Sequence, residues 1–194
     1  VGAPDVAVIG GGIVGVAAAA HLAEKGARVV LYEREAIAAG ASGRNSGVVQ
    51  HPYDAALVEL HLETLELYRR LGDALDGGFR LPDSPTGLLL VTMDDVVAAR
   101  IAFDLEASHP GLRPVYLAPD SARNVEPALA EGVAACRLEV GYPIGPAAAT
   151  RAYATFAESL GVRFRVGSAA RPRIRDGRVD GVVVDGRHED AAAV

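Results

Sequence analysis

The chain has 194 residues, half of them apolar, and a formal charge of −6, with Lys25 the single lysine among nineteen basic residues. That length suits one domain, or one domain and part of a second, with a packed core. No basic run could neutralise a nucleic-acid backbone, and no stretch approaches the roughly 18 uninterrupted apolar residues of a membrane span. The opening VGAPDVAVIGG has neither the charged start nor the cleavage site of a signal peptide, so the chain reads as cytoplasmic, with something upstream removed because no initiator Met is present. A lone cysteine, Cys136, excludes an internal disulfide framework and any multi-cysteine metal site, and reads as a small packed side chain.

In chain order, the β-branched run VAVIG after Asp5 predicts a buried parallel strand. Residues 13–25, rich in alanine and stopped by Gly26, predict a helix, and 28–33 (RVVLYE) a second strand. A Gly-, Ser- and Ala-rich loop follows through 34–52. Between Tyr53 and Asp76 the spacing predicts one long amphipathic helix with Leu57, Leu60, Leu67, Leu71 and Leu75 on its buried face. A strand is expected at 87–93, a helix at 94–108 with Asp94, Asp95 and Asp104 on its polar side, and a short helix or turn at 119–130. GYPIGP at 141–146 marks a domain crossing, and Pro146 opens a helix over 147–160. VRFRV then alternates as a strand, RIRDGRVDGVVV reads as a hairpin turning at Asp176-Gly177, and HEDAAAV as the first half of a further strand.

Two constellations carry chemistry. The first is Gly10-Gly11-Gly12-Ile13-Val14-Gly15, a G-x-G-x-x-G set between a strand and a helix. Gly10 permits the turn, Gly12 leaves the approach of a diphosphate unblocked, and Gly15 lets helix and strand close up. The helix start presents N–H groups and a positive dipole end to phosphate. Glu33 closes the second strand where a carboxylate accepts both ribose hydroxyls and repels a 2′-phosphate; FAD and NAD remain open at this point. Arg34 is placed to lie over an adenine or to pair near the diphosphate. The second constellation is Ala41-Ser42-Gly43-Arg44-Asn45-Ser46-Gly47. It mixes backbone permissive of close approach at Gly43 and Gly47 with donors from Ser42 and Asn45, and adds the guanidinium fork of Arg44 for phosphate or a carboxylate. Such a loop suits a flavin.

GGGIVG, Glu33 and ASGRNSGVV resemble the FAD-binding segments of the D-amino-acid oxidase superfamily of FAD-dependent oxidoreductases, and YPIGPAAATRAYATFAESLGVRFRVGS resembles that family's return to its FAD domain. The resemblance implies FAD as cofactor, with Ile13 and Val14 against the diphosphate and Glu33 on the adenosine ribose. It places Ser42, Arg44, Asn45, Ser46, Gly47 and Val48 along the flavin, and the backbone near Ala170 at adenine. It implies an α/β fold: a Rossmann-like, glutathione-reductase-type FAD-binding domain over 1–78 and 144–194, with 79–143 inserted as part of an incomplete α+β substrate domain. The implied reaction moves a hydride from a carbon bearing an amine or hydroxyl, in an amino acid, secondary amine or 2-hydroxy acid, to flavin. Such chemistry asks the protein for orientation and tuning, and no residue stands out as catalytic.

An NAD-linked Rossmann dehydrogenase and a non-catalytic nucleotide-binding fragment or subunit are the competing readings. The family continues past a strand such as DAAAV into a substrate-binding half, so the expectation is an oligomer or a missing C-terminal half, and weak or no turnover by 194 residues alone. His51 lies near enough to the flavin loop to approach the ring but fits no covalent-attachment motif, and is expected at a surface or helix start. His21 and His61 in helices, and His109 and His188 in loops, lack metal-ligand spacing, so no metal site is expected.

Overall fold

The computed structural model describes residues 2–75 and 78–194. The elements run β1 (Val6–Ile9), α1 (Ile13–Glu24), β2 (Val29–Glu33), a 3-10 turn (Ala41–Gly43), β3 (Val48–Val49), α2 (Val58–Ala74), β4 (Leu88–Thr92), α3 (Asp95–Ser108), β5 (Val115–Leu117), α4 (Pro119–Val125), β6 (Ala134–Leu138), β7 (Tyr142–Pro143), α5 (Pro146–Ser159), β8 (Arg163–Val166), β9 (Ala170–Arg175), β10 (Arg178–Val184) and β11 (Arg187–Asp190). They divide into two compact units: Val1–Gly47, Glu63–Leu81 and Ile144–Val194 form the first, and Val48–Leu62 with Pro82–Pro143 the second.

In the first unit β1, β2 and β8 make a parallel sheet in that order. On the other edge of β1 a parallel bridge joins Val6 to Ala193, with the Ala7 N–H donating to the Ala193 carbonyl at 2.9 Å. Strand order therefore reverses at β1, and the crevice beyond the carboxyl end of such a strand is where open α/β sheets bind ligands. One face of the sheet is covered by α1 and α5, whose alanines (Ala19, Ala20, Ala149, Ala157) let the two helices pack closely with Val16, Leu31, Leu71 and Phe79. The other face meets an antiparallel meander, β9-β10-β11, through Ala7, Val30, Tyr32, Val182 and Val184. Asp176 and Gly177 both adopt positive φ (51° and 75°), as the expected tight hairpin requires.

The second unit contains a β4-β6-β5 antiparallel sheet and a β3-β7 pair. Helix α3 packs Ala102 on Leu112, Cys136 and Leu138. Asp94 caps that helix by accepting the Val96 and Val97 N–H groups at 3.0 and 3.2 Å, while Asp95 accepts from the Tyr116 hydroxyl. Burial raises the pKa of the Cys136 thiol, as an inert packed side chain requires.

Three expectations are corrected. The helix expected from Tyr53 to Asp76 begins with a 3-10 turn (Ala55–Leu57) and then α2, and Asp76 lies outside the described residues. Its buried face is only partly the one expected: Leu71 is buried and Leu75 packs with the core as expected, but Leu65 and Tyr68 join them, whereas Leu57 and Leu60 are 47% and 58% exposed. Several leucine registers fit one helical period, and the core selected the register that brings Tyr68 within 5.7 Å of Phe79 and 5.9 Å of Tyr153. HEDAAAV is not one strand either. Its first three residues end β11, pairing with β10, and the chain turns before Ala193 reaches β1, so His188 lies in a strand rather than a loop.

Candidate functional site

The glycine turn stands at the carboxyl end of β1. Gly10 has φ 110°, a conformation side chains rarely take, and its N–H donates to the Tyr32 carbonyl at 2.8 Å, joining the turn to β2. A Cβ on Gly15 would lie 2.0 Å from the Gly10 carbonyl oxygen, so helix and turn approach as closely as the motif spacing predicts. Gly12 is the N-cap of α1 and offers no side-chain cap. Val14 sits in the first turn of α1, 80% exposed despite being apolar.

Glu33 ends β2 beside this turn. Its carboxylate accepts the Gly11 N–H and the Glu35 N–H, each at 2.7 Å, which orients it while leaving it half-buried. Charge-assisted bonds of this kind are about twice as strong as neutral ones. Gly11, read from sequence only as a variable position of the motif, is what admits the carboxylate: a Cβ there would lie 3.0 Å from Glu33 Cγ and 2.6 Å from Ile37 Cδ1. Three successive glycines were the available signal. Arg34 is exposed and pairs with Glu35 at 3.3 Å.

The loop over 41–47 lies against the same turn. Ser42 Oγ accepts the Ile13 N–H at 2.9 Å, and Ala38 donates its N–H to the Gly11 carbonyl at 3.0 Å. Asn45 braces the loop from within, its Nδ2 donating to the Ala41 and Ser42 carbonyls and its Oδ1 accepting the Gly47 N–H at 2.9 Å. The close backbone approaches at Gly43 and Gly47 are to the protein's own chain: a Cβ would meet the Ala38 carbonyl oxygen at 2.1 Å or the Ile144 carbonyl oxygen at 2.3 Å. Ala41, Arg44 and Ser46 are exposed.

Two further residues predicted for the site belong to other elements. Val48 is 44% exposed and belongs to the second unit, in β3. Ala170 starts β9 in the first unit and packs with the meander core. In the second unit His51 and His61 stack edge to face with ring centroids 5.1 Å apart, and burial followed by the neighbouring His51 lowers the His61 pKa. Among the described residues no group of three or more His, Cys, Asp or Glu could hold a metal, and no helix is long and apolar enough to cross a membrane.

The residues present fit a dinucleotide. The turn has glycine where a Cβ would fill the cradle, a helix start faces it, and an oriented carboxylate stands at the end of the second strand. The profile of the family described as FAD dependent oxidoreductase matches residues 5–194. Carotenoid phi-ring synthase of Streptomyces griseus is 43% identical over 93 residues, which are 43% of this chain and 17% of that protein. Among solved structures, glycine oxidase from Bacillus cereus ATCC 14579 superposes with a TM-score of 0.81 at 25% identity, covering 97% of this chain and 53% of its own. L-proline dehydrogenase from P. horikoshii gives 0.79 at 26% identity, covering 97% and 50%. The chain thus spans less than a fifth of the first of these relatives and about half of each solved structure. By its glycine turn, its sheet order and this family match over residues 5–194, the chain belongs to the family of FAD dependent oxidoreductases.

Proposed function

We propose that the first unit binds FAD and that the whole protein oxidises an amino acid or a secondary amine, with a 2-hydroxy acid as the next class. The observation that carries the cofactor site is the Glu33 carboxylate held at the mouth of the glycine turn by the Gly11 N–H. In that position it accepts the ribose hydroxyls, while Gly10, Gly12, Ile13, Val14 and Gly15 surround the diphosphate. Ala41, Ser42, Arg44, Asn45, Ser46, Gly47 and Val48 line the path of the flavin, Arg34 lies toward the adenine side, and the Ala170 backbone contacts adenine. FAD, when bound, supplies the two-electron acceptor. The chain's own part is to hold the cofactor rigidly: the Asn45 bonds and the Ala38-to-Gly11 bond pre-order the loop, so little entropy is lost when the ligand arrives.

The FAD-binding role is assigned to 1–78 and 144–194 and a share of substrate binding to 79–143. By contacts, 48–62 group with the second unit and 79–81 with the first. Membership in an FAD family disfavours the NAD-linked reading. Glycine oxidase and L-proline dehydrogenase, by their names, act on amino acids, which supports the amine class.

Titration of the flavin-free protein with FAD tests the cofactor site. Saturable binding of one FAD per chain is expected, and a folded Gly12→Val variant should lose it, since side-chain bulk enters the cradle. Tight NAD binding without flavin binding sinks the proposal. Anaerobic bleaching of the bound flavin by amino acids, secondary amines or 2-hydroxy acids then reads the substrate class, and bleaching by none of them removes that part.

A further inference from the structure

The meander covers only part of the parallel sheet. Its apolar contacts fall on β1 and β2, where Ala7, Val30 and Tyr32 pack with Val182 and Val184, and no residue of β8 joins that core. Strand β8 is the sheet edge, in register with β2 so that Arg163 lies beside Val30 and Arg165 beside Tyr32. Paired residues of neighbouring strands share a face, so both arginines stand on the side that the meander leaves open. A groove of about 480 Å³ results, lined by Pro4 and Phe164 besides these strand residues, with Glu189 contributed by β11. Arg163 pairs with Val30, three residues before Glu33 on β2, which sets this end of the groove roughly 10 Å back from the carboxyl end of the sheet.

The two guanidiniums are not equivalent. Arg165 is bonded to Glu189, whose other oxygen accepts the Tyr32 hydroxyl at 2.8 Å. Burial works against the Glu189 charge, but those two bonds and the nearby charges of Arg165 and Arg163 outweigh it, so its pKa falls below the ordinary value. Arg163 acts on Glu189 through space alone, and its guanidinium bonds no described residue. One positive charge with a planar fork of donors therefore faces the groove without a counter-ion. A carboxylate fits that fork in a two-pronged bond. A phosphate dianion would exceed the charge on offer and meet Glu189. The volume lies in the range of small-molecule sites and exceeds what a bare ion fills, while Pro4, Val30 and Phe164 offer apolar surface for the remainder.

We propose that this groove binds a small organic monocarboxylate, its carboxylate on Arg163 and its apolar body along Pro4, Val30 and the methylene stem of the arginine. The site stands independently of the FAD reading, since none of its residues belongs to the glycine turn or to the 41–47 loop.

Calorimetric titration of the full chain with phenylacetate and with phenylacetamide, its uncharged analogue, tests it. Phenylacetate should bind saturably, one per chain. Losing a hydrogen bond to a charged group changes affinity by about tenfold to a hundredfold. Phenylacetamide on the parent protein, and phenylacetate on Arg163→Gln, should both be weaker by that factor. Arg151→Gln removes the same charge from α5, on the opposite face of the sheet, and should stay within about twofold. Should Arg163→Gln fail to fold, Arg163→Lys keeps the charge without the fork and is read in its place, and the comparison of the two ligands needs no variant. No saturable binding by the parent, phenylacetamide as tight as phenylacetate, or undiminished affinity in Arg163→Gln overturns the proposal. Acetate or inorganic phosphate matching phenylacetate overturns it too, since the groove then holds a bare ion. So does an equal loss in Arg151→Gln, which would report net charge alone.

Discussion

Asp5 and Arg28 tie the entrance of β1 to that of β2 by three side-chain contacts: Asp5 Oδ2 accepts the Arg28 N–H at 2.8 Å and its Nε–H at 3.1 Å, and Oδ1 accepts from Nη2 at 2.6 Å. The Arg28 side chain, then its backbone N–H, hold the Asp5 carboxyl down at about 2 against an ordinary 3.8. A carboxyl depressed by folding adds stability above its unfolded value and loses that contribution as pH falls through its folded value. Arg28→Ala should accordingly be less stable than the parent near neutral pH, with the gap closing between about pH 4 and about pH 2. Denaturation at a series of pH values reads this, and a gap independent of pH would show that Arg28 acts by packing alone. The pair is exposed, so screening by salt should narrow the gap as well.

Between elements, the parallel sheet and the meander are fastened at one polar point within an apolar interface. Tyr32, 2% exposed, donates its hydroxyl to Glu189 at 2.8 Å. Arg165 also bonds Glu189, and its guanidinium lies 5.3 Å from the Tyr32 ring centroid. Burial first, then Glu189, raises the Tyr32 pKa, so the phenol stays a donor at neutral pH. Tyr32→Phe should cost about 1 kcal/mol, the usual net value of one hydrogen bond, because Arg165 still satisfies Glu189. Chemical denaturation should show a lower midpoint with an unchanged slope. A loss above about 3 kcal/mol would mean that the hydroxyl orders the meander itself. Such cross-element bonds were invisible in sequence, since Tyr32 and Glu189 are 157 residues apart.

For the molecule as a whole, a ligand that binds only the folded chain stabilises it by mass action, about 2.7 kcal/mol at a hundred times its dissociation constant. FAD should therefore raise the melting temperature in proportion to the logarithm of its concentration, and Gly12→Val should abolish the shift. A melting temperature indifferent to FAD would contradict the assigned cofactor site. The sequence by itself determined what depends on neighbours along the chain: the strand, glycine turn, helix and second strand over 5–33, the hairpin at Asp176-Gly177, and the residue types that suit a dinucleotide diphosphate and ribose. These rest on backbone freedom at glycine and on short-range periodicity, which a few adjacent residues encode. Tertiary structure alone decided which leucines of α2 are buried, how HEDAAAV divides between β11 and the edge of β1, and that Ser42 meets Ile13 across 29 positions. Each of those depends on which surfaces meet once the chain has closed on itself, and periodicity leaves several registers equally acceptable until packing selects one.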